Sequence, residues 1–155
     1  MLYGPGDRLL TVMLGLMNRY HRFPLFGDAE YHVSPLATPD LARIVRREID
    51  QPPGATRTFG GPVRWRYRDL TDRMWEALGR RPKYVRLSAR TSVRLARVLE
   101  RLGSSLLYAY EVEWLLSDML GPPAYEGLTA PLSSVEAFLD REARRLGRPG
   151  AAAHG

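Results

Sequence analysis

The sequence predicts an α/β protein that is mostly helical, with short strands between its helices. Long segments repeat apolar residues at intervals of three and four, which is typical of amphipathic helices. Between them lie short extended segments that are bounded by Gly or Pro. With 155 residues, of which 45% are hydrophobic and 26% charged, the chain has the composition of an ordinary globular domain.

The amino-terminal third contains two predicted helices. The first is expected over residues 8–22, with Asp7 as its N-cap and with apolar residues on nearly every face of its first half. Extended segments are expected at 23–27 and 31–36. The second helix is expected to start at Thr38 as N-cap and Pro39 as first residue, and its apolar face comprises Leu41, Ile44, Val45 and Ile49.

The rest of the chain is predicted to be largely helical. Short strands are expected at 56–59, 63–67 and 83–87, and helices at 67–78, 89–102, 105–120 and 133–146. Gly79 is placed to end the helix over 67–78. Ser133 and Glu136 have the spacing of a capping box for the last helix. Residues 147–155 show no core-forming pattern and are expected to be a disordered tail.

Composition argues against several classes of protein. Of the 23 basic residues only Lys83 is a lysine, and the arginines are interleaved with 17 acidic residues, so the net charge of +6 does not predict a nucleic-acid partner. The longest apolar stretch, residues 9–17, is about half the roughly 20 residues of a membrane span, and no span is expected. The absence of cysteine excludes disulfides and suits a cytoplasmic protein.

Metal and hydrolase sites are not predicted. His21, His32, Asp28 and Glu30 lie near one another in sequence, but none of them forms a helical pair with the spacing of metal ligands. Ser34, His32 and Asp40 have the residue types of a catalytic triad, yet nothing in the sequence positions a nucleophile elbow.

Two helices carry patterns with more than one interpretation. Arg90, Arg94, Arg97 and Arg101 form one stripe on the helix over 89–102. This stripe is either a solvated face, the simpler interpretation, or a contact for phosphate, a lipid headgroup or an acidic partner. The apolar residues of the helix over 105–120 either pack in the core, again the simpler interpretation, or bind a partner, a membrane surface or a hydrophobic substrate. They are Tyr108, Trp114, Leu115, Met119 and Leu120.

Four segments of the chain carry recognisable motifs in a fixed order. They are Tyr-Gly-Pro-Gly-Asp at 3–7, Phe-Pro-Leu-Phe-Gly at 23–27, Val-Ser-Pro-Leu at 33–36 with Asp-Leu-Ala at 40–42, and Thr-Phe-Gly-Gly-Pro at 58–62 with Tyr-Arg-Asp-Leu at 67–70 and Leu-Gly-Arg-Arg-Pro at 78–82. In this order they resemble the carboxy-terminal portion of extended and atypical short-chain dehydrogenases/reductases, the NAD-dependent epimerase/dehydratase family. The likeness extends over about residues 1–120, and is greatest to sugar-nucleotide epimerase relatives and to the NAD(P)H-binding accessory subunit of respiratory complex I.

The resemblance implies one substrate-side domain over residues 1–146, with the end of a Rossmann-type part at 1–62 and a helical part at 63–146. The family uses NAD(P), but this sequence contains neither the glycine-rich pyrophosphate turn nor the Tyr-x-x-x-Lys pair, since Gly79 precedes Lys83 by four. We therefore expect no catalytic residue and no NAD(P) binding by the chain alone. The implied partners are a nucleotide-binding amino-terminal half or a homodimer mate, and a small-molecule substrate.

The resemblance also implies where the substrate lies. It places the turn Tyr3, Gly4, Pro5, Gly6, Asp7 and Arg8 beside nicotinamide and substrate; the alternative is that this turn only starts a helix. For Asp40, a role at the start of its helix is favoured over a ligand contact. Ala37 and Pro39 depart from the family pattern there. The alternative function is a non-catalytic binding or scaffold module that dimerises through an uncovered apolar face.

Overall fold

A computed structural model of the chain describes residues 1–7, 9–49, 54, 58–103, 110, 112–113, 116 and 131–147. Most of the helix predicted at 105–120 and of the tail at 147–155 lies outside these ranges. Of the strand predicted at 56–59 only Thr58 and Phe59 are described, and neither is in a strand.

The described residues form a mixed α/β fold with short strands, as predicted. Within the described ranges, helices and strands follow in chain order: β1 (Leu2–Tyr3), α1 (Leu9–Tyr20), β2 (Phe23–Phe26), β3 (His32–Val33), β4 (Leu36–Ala37), α2 (Thr38–Ile49), β5 (Trp65–Arg66), α3 (Tyr67–Ala77), β6 (Tyr84–Leu87), α4 (Ala89–Arg101) and α5 (Val135–Leu146).

The described strands pair in three small sheets. β1 pairs with β4 in parallel, so that Tyr3 lies opposite Ala37, and β2 pairs with β6 in parallel, with Phe23 opposite Tyr84. β3 pairs with β5 antiparallel. Parallel pairing requires a crossover between the strands, and the crossover from β1 to β4 includes α1.

The core lies between α1, α3 and α5. α5 packs on both other helices, and in α1 no apolar residue before Tyr20 is exposed. This confirms the prediction of a first helix covered on more than one side. The largest fully buried side chains include Trp75, Tyr67, Leu10, Leu14, Met17, Leu70, Met74 and Leu139.

Local signals place most helix ends. The Asp7 carboxylate accepts hydrogen bonds from the amides of Thr11 (2.9 Å) and Leu9 (3.3 Å), which confirms its N-cap role. Gly79 closes α3 with a φ of +65°, a conformation that strains residues with a Cβ. Ser88 caps α4 through the amide of Thr91.

Gly61 is required by a close approach of two backbones. Its amide donates to the carbonyl of Ser34 at 3.1 Å. A Cβ at this position would lie 1.5 Å from the carbonyl oxygen of Pro35. Glycine is therefore the residue that lets the segment after Phe59 run beside the connection between β3 and β4.

Two predicted helix starts differ from the structure. The capping box of Ser133 and Glu136 is wrong, because Ser134 is the N-cap of α5 and accepts from the amide of Ala137 at 3.3 Å. α2 already includes Thr38, the expected N-cap, and the Thr38 hydroxyl donates to the carbonyl of Tyr3 at 3.1 Å. Both differences come from contacts between residues distant in sequence.

The apolar face predicted for α2 is covered only in part. Ile44 is buried, whereas Val45 is 46% exposed and Ile49 is 74% exposed. The described residues thus leave one side of this amphipathic helix open.

Candidate functional site

A cavity of about 360 Å³ lies between the amino-terminal turn and helix α5. The turn contributes its whole described length, residues 3–7, and α5 contributes one face. The lining residues are Tyr3, Gly4, Pro5, Gly6, Asp7, Thr11, Ala37, Pro39, Ser133, Phe138, Arg141, Glu142 and Arg145.

The turn is held by its backbone and by its two glycines. The amide of Asp7 donates to the carbonyl of Gly4 at 2.9 Å. Gly6 has a φ of +81°, which favours glycine. A Cβ on Gly4 would lie 3.2 Å from the hydroxyl oxygen of Thr38, so glycine also lets the turn lie against the start of α2.

Ser133 joins the turn and α2 to the start of α5. The Tyr3 hydroxyl donates to the carbonyl of Ser133 at 2.8 Å. The Ser133 amide donates to Asp40 Oδ2 at 2.6 Å, and its hydroxyl donates to Oδ1 at 3.2 Å. Three segments distant in sequence therefore meet at one residue, which lines the cavity.

Asp40 is a buried carboxylate with a structural task. It is 1% exposed, and Arg43 donates to its Oδ1 at 2.5 Å in addition to the two bonds from Ser133. Burial by itself raises the pKa of Asp40, but the hydrogen bonds from Ser133 and Arg43 outweigh burial and hold that pKa below its ordinary value. Asp40 is thus a charged acceptor behind the cavity wall and not part of its lining.

Tyr3 supplies an aromatic wall to the cavity. Its ring packs on Phe138 with centroids 5.2 Å apart. Burial first, and then the charge of Asp40, raise the pKa of Tyr3 to about 12. The hydroxyl therefore keeps its proton near neutral pH and acts as the donor to Ser133.

The charged side chains of the cavity are distributed unevenly. Arg141 and Arg145 lie one helical turn apart on α5 and line the same cavity. Arg145, which is 76% exposed, lies 3.9 Å from Glu142 in a pair that contributes little to stability, and Arg141 forms no salt bridge with a described residue. Asp7 is occupied by the amides of α1. The guanidinium of Arg141 is therefore the charge most open to a ligand.

This arrangement can bind a small molecule that has an apolar part and an anionic end. Tyr3, Phe138 and the two prolines provide apolar surface. Arginine presents a planar set of donors that matches a carboxylate or a phosphate. A volume of about 360 Å³ lies within the usual range of ligand pockets.

The structure brings together most of the residues predicted from sequence. Tyr3, Gly4, Pro5, Gly6 and Asp7 all line the cavity, whereas Arg8 lies outside the described residues. Asp40 lies in the first turn of α2, where a role at the helix start was favoured, but its carboxylate accepts from Ser133 and Arg43, and the contact with Ser133 was not predicted. Its neighbours Ala37 and Pro39, the departures from the family pattern, do line the cavity.

Sequence reasoning missed Ser133, Arg141 and Arg145 as site residues. The spacing of four between the arginines was a local signal that they share one face of a helix. Nothing local indicated that this face lies against residues 3–7, because the contact spans almost the whole chain.

Other candidate constellations have a structural use or do not assemble. His21 Nδ1 lies 2.6 Å from Arg80, which also donates to the carbonyl of Asn18. Among the described residues no group of three His, Asp or Glu side chains is arranged to hold a metal ion. The Asp40 carboxylate is bonded to Ser133 and Arg43.

No protein-family model matches the chain, and no curated protein is significantly similar to it. None of the helices in the described ranges is long and apolar enough to cross a membrane.

Proposed function

We propose that this chain is the substrate-binding part of an NAD(P)-dependent epimerase, dehydratase or oxidoreductase of the short-chain dehydrogenase/reductase type. One observation carries the proposal. The turn at residues 3–7, which resembles the family's turn beside nicotinamide and substrate, forms one side of a ligand-sized cavity. In this role the chain shapes the substrate pocket, and a nucleotide-binding part supplies the cofactor and the proton transfer.

The parallel pairing of β1 with β4 also supports the proposal. β1 and β4 are parallel neighbours joined by a crossover that includes α1, the kind of connection from which Rossmann-type sheets are built. Parallel sheets are normally covered on both faces. The exposed apolar residues Leu2, Val45 and Ile49, on β1 and α2, are surface that a nucleotide-binding half would cover.

The lining of the cavity supports one chemical class of substrate. Its aromatic wall and its two arginines favour a molecule that combines an apolar part with a carboxylate or phosphate. Phenyl phosphate has both features and is a suitable probe of the cavity.

Calorimetric titration of the whole chain tests the proposal. We expect phenyl phosphate to bind and NADH and NADPH not to bind. The double variant Arg141→Gln/Arg145→Gln should weaken phenyl phosphate binding at least tenfold, since hydrogen bonds to charged groups contribute about 1.5–3 kcal/mol each.

The matched control is Arg46→Gln/Arg144→Gln, which removes the same charge from exposed arginines outside the cavity lining. It should bind the probe as the unmodified chain does. Micromolar binding of NADH would contradict the proposed division of labour. Probe binding that is absent, or unaffected by the loss of Arg141 and Arg145, would show that this cavity is not the substrate site.

A second candidate function is a non-catalytic module that forms a homodimer through α2. The exposure of Val45 and Ile49 favours it. Light scattering distinguishes this function from the first one. The homodimeric module requires a dimer, and Val45→Ser/Ile49→Ser should convert that dimer to a monomer.

A further inference from the structure

Helix α4 presents three different faces. Ser92 and Ala96 are buried and hold the helix on the protein. Opposite them runs an arginine stripe, which comprises Arg90, Arg94, Arg97 and Arg101, all exposed. Between these faces runs an apolar stripe, which comprises Leu95, Val98 and Leu102 with exposures of 43%, 51% and 77%.

The arginine stripe is poorly neutralised within the described part of the chain. Only Arg97 has an acidic partner there, Glu113 at 3.2 Å, and both of these side chains are more than half exposed. Such a pair contributes little to stability. Like charges three and four residues apart destabilise a helix, so a stripe of four arginines gains from an external anion.

The stripe also frames a place for anionic groups. Arg90, Arg94 and Arg97 line an open cavity of about 330 Å³ together with Ala89 and Val93. The whole stripe extends over about 16 Å at the α-helical rise of 1.5 Å per residue. Several phosphates in a row fit this length better than one does.

We propose that α4 docks the protein on an anionic phospholipid surface. The arginine stripe contacts lipid phosphates, and the apolar stripe beside it reaches the boundary between headgroups and acyl chains. This is peripheral binding, which needs no membrane span. It does not depend on the substrate pocket, because no α4 residue lines that cavity.

A bilayer fits this face better than a protein partner does. Protein interfaces are enriched in aromatic anchors, whereas α4 contains no Phe, Tyr or Trp. A bilayer presents many phosphates in one plane, beside acyl chains that accept leucine and valine.

Co-sedimentation with vesicles tests the proposal on the whole chain. We expect binding to vesicles of equal parts phosphatidylcholine and phosphatidylglycerol, and none to phosphatidylcholine alone. One basic residue near an anionic membrane strengthens binding about fivefold. The variant Arg90→Gln/Arg94→Gln should therefore weaken binding to the mixed vesicles about 30-fold.

A second variant tests the apolar stripe without a change of charge. Leu95→Ser/Leu102→Ser should also weaken vesicle binding, because both side chains are expected to enter the lipid. The matched control Arg46→Gln/Arg64→Gln removes two exposed arginines elsewhere and should bind nearly as tightly as the unmodified chain. Thermal melts establish that each variant is folded.

Four results would overturn the proposal. The first is equal binding to neutral and mixed vesicles, and the second is an equal loss in the control variant, which indicates general basicity. A third is release from vesicles by inorganic phosphate at constant ionic strength, which indicates a site for free phosphate. The last is a dimer in the absence of lipid that Leu95→Ser/Leu102→Ser converts to a monomer, which assigns the face to a second copy of the chain.

Discussion

Ser133 is the residue on which the pocket depends, although its side chain forms only one of its bonds. Its amide and hydroxyl donate to Asp40, and its carbonyl accepts from Tyr3. Hydrogen bonds to a charged partner contribute about 1.5–3 kcal/mol each, and an unsatisfied buried group costs a similar amount. The position of the first residues of α5 relative to the turn is therefore set largely by the Asp40 carboxylate.

We predict that Asp40→Asn lowers the free energy of unfolding by about 2–4 kcal/mol at neutral pH. The amide keeps the shape of the side chain but removes the charge and places an NH₂ donor against Ser133 or Arg43. Urea unfolding measures the difference. Asp69→Asn is the control, because Asp69 pairs with Arg66 on the surface, and it should change stability by no more than about 1 kcal/mol.

The unmodified chain and Asp40→Asn also test the charge of Asp40, when their stabilities are compared over a range of pH. The pKa of Asp40 is below its ordinary value of 3.8 in the folded chain, so its contribution to stability is present above 3.8 and is lost as the pH falls through the folded value. The difference in the free energy of unfolding between the unmodified chain and Asp40→Asn should therefore become smaller in acid. If this difference stays constant through the acid range, the lower stability of Asp40→Asn comes from altered packing and not from the lost charge.

At the scale of elements, local signals were sufficient where the partner is also local. Asp7 and Gly79 act within one turn of their own helix, and the helix ends predicted from them agree with the structure. Ser133 resembles an N-cap, but a carboxylate 93 positions away holds it, and the cap falls to Ser134. Side-chain type and spacing do not reveal such a competitor.

Helix α2 shows a second limit of sequence patterns. Periodicity predicts which residues share a face, but whether that face is covered depends on what packs there. We predict that Ile44→Ala lowers the free energy of unfolding by about 2–4 kcal/mol, since Ile44 is buried. Val45→Ala and Ile49→Ala, its neighbours on the same helix, should each change it by less than about 0.5 kcal/mol.

Thermal and urea unfolding of the three α2 variants provide the measurement. A large loss in Ile49→Ala would mean that another part of the chain covers α2. The proposal that a separate nucleotide-binding part covers this helix would then lose its second support.

At the scale of the whole molecule, the pocket is a contact between the two ends of the described chain. From the resemblance, residues 3–7 are expected to face a substrate, and in the structure they line one wall of the candidate pocket. The other wall, with Arg141 and Arg145, comes from α5, which reaches the turn because its apolar face packs on α1 and α3. This packing is a property of the folded core and has no signature in the motif, so the sequence indicated the turn as one lining of the candidate pocket but did not indicate α5 as the other.

A double-mutant cycle measures how strongly the ends of the chain are joined. Tyr3→Phe removes the hydroxyl that donates to the Ser133 carbonyl, and Asp40→Asn weakens the side chain that accepts from the Ser133 amide. Because both hold the same residue, the second substitution should cost less once the first has released Ser133, with a coupling energy of about 0.5–2 kcal/mol. Tyr84→Phe combined with Asp40→Asn is the control, since the Tyr84 hydroxyl donates to Asp72, lies 3.1 Å from the Thr71 hydroxyl and shares no partner with Asp40. That pair should be additive within about 0.5 kcal/mol. Additivity of Tyr3→Phe with Asp40→Asn would show that the turn and α2 hold α5 independently, and that Ser133 does not link them.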